Sequence, residues 1–159
     1  MFTNHLPDNE DYQVVFSEYA KRHFLKDFVK KYRGKRWEVT QESIKQNLRH
    51  IRVLQDTQQV NELRWSGKLW LFKYDFAVAQ TNISPKASGN RCLVFLDATR
   101  HLQTILLIYH KSHPPKKKRR NSIFTTNSER AVFWILGEAK ESEINKAVEI
   151  LTSKGLTKD

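Results

Sequence analysis

RCLVFLDATRHLQTILLIYH, residues 91–110, decides the fold. Arg91 to Leu96 and Thr104 to His110 are near-continuous apolar runs of strand length, rich in β-branched and aromatic residues, and Asp97 to His101 between them carries a hairpin connection. A strand that is apolar at every position has both faces covered, so this pair is expected at the centre of a sheet. Upstream, Lys68 to Ala77 alternates instead: Trp70, Phe72, Tyr74 and Phe76 fall on one face and Lys73 and Asp75 on the other, the pattern of a half-buried strand. Asn61 to Trp65 is expected to precede it as another strand. Gln80 to Asn90 is rich in turn formers and reads as a loop.

Further towards the N-terminus the period changes. Phe16, Ala20, Phe24, Phe28 and Tyr32 form an i, i+4 stripe with lysines and arginine around it, a basic amphipathic helix with Ser17 as N-cap. Gly34 closes that helix, and Thr40 with Glu42 is expected to open a second one running to about Gln59, with Ile44, Leu48, Ile51 and Leu54 or Gln55 turned inward and Trp37 at its approach. Tyr12 to Phe16 reads as a short edge strand. The fold class is therefore α+β: an N-terminal helical hairpin packed on a small, mainly antiparallel sheet, with a C-terminal helical extension. Residues 1–113 form the core, 114–122 a basic linker and 123–159 the extension, where Ser128 to Leu136 and Glu141 to Leu151 have helical patterns.

Composition narrows the function. Of 159 residues, 28 are Lys or Arg and 17 Asp or Glu, a net charge of +11 that favours a polyanionic partner, while 39% hydrophobic residues argue for a folded core. The single cysteine, Cys92, excludes an internal disulfide or a multi-cysteine zinc site. The N-terminus does not read as a secretory signal, and Ile105 to Tyr109, the longest apolar run, is too short for a bilayer, so a cytoplasmic protein with no membrane association is expected. Six of the basic residues lie in 111–120, where Lys116, Lys117, Lys118, Arg119 and Arg120 are consecutive. This run either binds RNA or DNA phosphates, is a solvated charge run, or acts as a nuclear-type address.

If the helices cover one sheet face, the other is free to meet nucleic acid. The aromatic stripe from Trp70 to Phe76 either packs under the helices or stacks bases. His110 and His113 flank Lys111, but no third metal ligand is near in sequence, and on an extended strand end the two face opposite sides; neither metal nor cofactor is expected.

Phe-Leu-Lys-Asp-Phe-Val-Lys-Lys-Tyr (24–32), the second helix, Glu62 to Trp65 running into Lys68 to Phe72, and above all Arg91 to Phe95 followed by Ile105 to Lys111 occur in an order and spacing that resembles the RelE/ParE superfamily of bacterial toxins from toxin–antitoxin pairs. The resemblance covers about residues 12–113. It implies a metal-independent endoribonuclease that cleaves mRNA, on or off the ribosome, by attack of a 2′-hydroxyl on the adjacent phosphate, and so inhibits translation. Such a reaction needs a general base, a general acid and fixed cations at the scissile phosphate.

Residue by residue, the family's arginine at the opening of the central strand matches Arg91, its basic position after the last strand matches Lys111, and lysines before the arginine strand correspond to Lys73. Ribosome-dependent members carry an arginine and a tyrosine beyond the last strand, whereas residues 112–159 contain no tyrosine. The acid–base role then falls to Tyr109, His110 or His113, or is missing, as in gyrase-poisoning relatives. His113 joins Lys116 to Arg120 as a candidate RNA-binding residue. The implied partner is an antitoxin with an acidic segment. The competing readings are a non-catalytic gyrase poison and a basic nucleic-acid-binding module.

Overall fold

The computed structural model describes residues 1–7, 11–17, 20–21 and 25–111, and the linker and C-terminal extension lie outside them. The elements are β1 (Gln13–Phe16), α1 (Lys26–Lys31), α2 (Lys35–Arg49), α3 (Ile51–Leu54), β2 (Val60–Ser66), β3 (Leu69–Phe76), α4 (Pro85–Ser88), β4 (Asn90–Asp97) and β5 (Leu102–His110). The strands form one α+β sheet in the order β1-β5-β4-β3-β2, antiparallel except for β1, which runs parallel to β5. The apolar pair read from the sequence is thus internal, β4 at the centre with β5 beside it.

Alternation along β3 does what its sequence pattern requires. Trp70, Phe72, Tyr74 and Phe76 are buried, and they pack with Val94 and Cys92 of β4 into the core that the helices complete through Phe28, Trp37, Ile44, Leu48 and Ile51. The aromatic stripe is therefore packing under the helices and not a stacking platform. Phe28 lies 5.0 Å from Trp37 and 5.9 Å from Phe76, ring to ring. At about 1.5–3 kcal/mol for each large apolar side chain removed from water, this face supplies a major part of the stabilisation. The N-terminus belongs to it too, which the sequence did not suggest: Phe2 packs edge-on to Phe72 at 5.0 Å, and the Trp70 indole donates to the Asn4 carbonyl at 2.8 Å.

Four expectations are corrected. The second helix starts at Lys35, not Thr40, because Gly34 adopts φ +73 and turns the chain directly into it. Thr40 is buried inside the helix; its hydroxyl donates to Arg36 O and accepts from Ala79 N, both at 2.8 Å, so it ties α2 to the segment after β3. The helical stretch breaks at His50 and ends at Leu54 rather than Gln59. The 80–90 loop contains the short helix α4, with the Ser84 hydroxyl accepting from Ala87 N.

The last correction bears on function: the second sheet face is not free. Leu71, Leu93, Phe95 and Leu107 have no exposure, yet they stand apart from the core built by the helices. Ser17, by contrast, caps as its sequence position predicts, its hydroxyl accepting from Ala20 N at 3.0 Å.

Candidate functional site

Strand register brings the site together. Asp75 on β3 pairs with Arg91 on β4, which in turn pairs with Tyr109 on β5, so the three form a row across the sheet at one end. Their parity is that of Lys73 and Leu93, opposite to the Tyr74–Cys92–Ile108 row in the core, and they project from the second face.

Arg91 is held on three sides. Its Nε lies 3.0 Å from Asp75 Oδ1, Nη1 donates to its neighbour's carbonyl, Asn90 O, at 3.1 Å, and Nη2 donates to Lys86 O at 3.4 Å. The Asp75 and Arg91 side chains each retain 14% exposure. Burial raises the Asp75 carboxyl above its ordinary 3.8 even though Arg91, Lys73, Lys86 and Lys111 all pull it down. Four cations thus act on one half-buried carboxylate. Burial also pushes the Tyr109 phenol up to about 12 against the opposing charge of Arg91, so at neutral pH it is a proton donor.

The end of β4 is fixed by the turn before it. Gly89 takes φ +79 and closes α4, and Lys111 N donates to Gly89 O at 2.8 Å, extending the β4–β5 pairing to the mouth of the site. His110 faces the other way. Its ring packs against Gly89 with Nε2 3.0 Å from Ser88 O, where it braces the turn that delivers Arg91.

Of the sequence-derived catalytic residues, Arg91, Tyr109 and Lys73 therefore share one face, Lys111 stands exposed at its end, and His110 lies on the opposite side. His113 and Lys116, Lys117, Lys118, Arg119 and Arg120 lie outside the described residues. Sequence reasoning missed Asp75 and Lys86 as site residues. The alternation of β3 already put Asp75 on the outward face with Lys73; only the register against β4 shows its partner. Among the described residues no three His, Cys, Asp or Glu side chains converge as metal ligands, and no helix is long and apolar enough to cross a membrane.

No family model matches the chain, and no curated protein matches it in sequence. A crystal structure of an archaeal RelE–RelB complex from Pyrococcus horikoshii OT3 is similar to it with a TM-score of 0.45 and 12% identity, over 65% of this chain and 98% of that one.

Proposed function

We propose that this chain is a RelE/ParE-like toxin of a toxin–antitoxin pair, acting as a metal-independent endoribonuclease on mRNA, with an acidic antitoxin segment as its partner. The reading starts from the order and spacing of the motifs in residues 12–113. The observation that carries it is the convergence of Lys73, Arg91 and Tyr109 on one sheet face with Lys111 at its end.

In the proposed reaction the 2′-oxygen forms a bond to the adjacent phosphorus and the bond to the 5′-oxygen breaks, leaving a cyclic phosphate and a 5′-hydroxyl. Charge grows on the non-bridging oxygens as this happens. Arg91, fixed by three acceptors, meets that charge with little reorganisation, and its weakest bond, 3.4 Å to Lys86 O, is the one a phosphate oxygen displaces most easily. Lys73 and Lys111 add positive charge. Tyr109 keeps its proton at neutral pH and gives it to the departing oxygen, and the Asp75 carboxylate is the acceptor for the 2′ proton. The Lys116 to Arg120 run follows the end of β5 by a few residues in sequence and supplies further cations that favour a phosphate backbone.

One observation favours the gyrase-poison reading: Asp75 neutralises much of the Arg91 charge in the resting protein. Inducible expression in a bacterium separates the two. The native chain is expected to arrest growth and create new RNA 5′ ends inside coding regions, and Arg91→Ala, checked for fold by circular dichroism, to lose both. Arrest with intact RNA and a DNA-damage response overturns the nuclease in favour of gyrase poisoning.

A further inference from the structure

We propose that Asp75 is a displaceable internal counterion for Arg91: a phosphodiester takes over the guanidinium, and the carboxylate takes up a proton as the anion binds. The primary observation is how Arg91 is held. Asp75 Oδ1 engages Nε at 3.0 Å, whereas Nη1 and Nη2 donate to backbone carbonyls, Asn90 O and Lys86 O. A guanidinium has five N–H donors, so each terminal nitrogen keeps one hydrogen for a further acceptor. The carbonyls position the group without cancelling its charge. Among the described residues Asp75 alone pairs with that charge, set beside it by the β3–β4 register, and it is the partner an incoming anion contests.

Two anions on one guanidinium repel, and such a pair is relieved when one of them becomes neutral. Arg91 cannot change its charge, and a phosphodiester stays ionised, so the carboxylate is the member that changes. The groups facing Asp75 agree with this. Burial draws its carboxyl above the ordinary 3.8 although Arg91 on β4, Lys73 on its own strand, Lys86 on α4 and Lys111 after β5 all oppose the rise, Arg91 most strongly. Tyr109 on β5 faces it as a neutral phenol, Cys92 lies in the core behind the sheet, and beside β2 Gln59 bonds to the Asp75 backbone. His110 is turned to the opposite side, on Ser88 O. Engaging Arg91 with a phosphate removes the largest downward pull on Asp75, so the complex holds more protons than the free protein. Anion affinity then rises as pH falls.

This coupling rests on the phosphate-binding part of the proposed function and not on cleavage; intact RNA in the cell would leave it standing. Under the nuclease reading it means that the substrate phosphate itself makes Asp75 a stronger base.

The test measures binding of the full chain to an uncleavable 2′-O-methyl RNA octamer at fixed ionic strength, with folds checked by circular dichroism. Asp75→Asn is expected to bind roughly tenfold tighter than the native chain at pH 7.5, and the native chain to recover most of that difference by pH 5.5. In an Arg91→Ala background the same substitution should change affinity less than about twofold, which separates release of Arg91 from a general gain of positive charge. Calorimetry in two buffers of different ionisation enthalpy reads the event with Asp75 intact: binding at pH 6.5 should take up about half a proton more in the native chain than in Arg91→Ala. Equal or weaker binding by Asp75→Asn at pH 7.5, parallel pH profiles, a gain that survives Arg91→Ala, or equal proton uptake by the native chain and Arg91→Ala overturns the proposal.

Discussion

Asp75 Oδ1 and Arg91 Nε meet at 3.0 Å across the β3–β4 pair, with each side chain 14% exposed. The two partners are unequal when separated. A carboxylate left alone in a desolvated site can take up a proton, but a guanidinium cannot shed one. Asp75→Ala is therefore expected to cost about 3 kcal/mol and Arg91→Ala about 1–2 kcal/mol in urea unfolding at pH 7. The pH dependence differs too. In Arg91→Ala the Asp75 pKa rises further above its unfolded value, so its contribution is favourable below the unfolded pKa and is lost as pH climbs through the folded one; this variant recovers stability on going from pH 7 to pH 4. Equal costs at both pH values would contradict the coupling.

Gly89 is expected to tolerate no side chain. An added Cβ would sit 2.5 Å from His110 Nε2, on a backbone with φ +79 that L-residues avoid. Gly89→Ala should cost about 2–3 kcal/mol, of which roughly 1 kcal/mol is backbone strain. Adding His110→Ala should return the steric part and leave the strain, a non-additivity measurable in a double-mutant cycle. Under the nuclease reading, His110→Gln keeps cleavage near the native rate, because the ring braces the turn from the far side of the sheet.

Alkaline pH should unfold the protein in a defined window. Tyr74 and Tyr109 are both pushed up to about 12 from an ordinary 10.0, chiefly by burial. A raised folded pKa gives stability that is complete below pH 10 and lost as pH rises through 12, about 2–3 kcal/mol for each phenol. Tyrosinate absorbance at alkaline pH should lag behind that of free tyrosine for at least these two groups and then appear together with loss of the far-ultraviolet dichroism. Ordinary titration of all five tyrosines before unfolding would refute this.

Cys92, on the helix-facing side of β4, has no exposure, and burial pushes its thiol well above the ordinary range. Native protein should leave Ellman's reagent unreacted over many minutes, and urea should release one thiol per chain. Prompt reaction without denaturant would show that the core opens locally.

Sequence periodicity carried most of the sheet because its signals are local. The alternation of β3 and the unbroken apolar character of β4 and β5 each depend on one segment, and so were legible. Long-range pairing was not. Nothing in Gln13–Phe16 announces a parallel partner at Leu102–Ile105, and nothing in Met1–Leu6 says that Phe2 reaches Phe72. For the candidate site, the family resemblance points to Arg91, Lys73 and Tyr109, but that the three share one sheet face and that Asp75 is the partner of Arg91 follow only from strand register. Thr40 misled for a physical reason: a threonine that caps a helix and one that bonds back to the carbonyl four residues earlier look the same in sequence.

The parallel pairing of β1 with β5 has a consequence for biosynthesis. The β2–β3–β4 meander closes between neighbours in the chain and can form while synthesis continues, but β1 must wait for a strand made almost ninety residues later, with which Gln13 pairs at Leu102. Until then β4 is an unfinished edge and the apolar Val14 and Phe16 lack their berth, so the nascent chain passes through a stage prone to sticking to itself. Yield in a cell is accordingly expected to depend on how soon β5 is delivered, and slowing translation just before residue 102 to affect yield more than slowing it after residue 111.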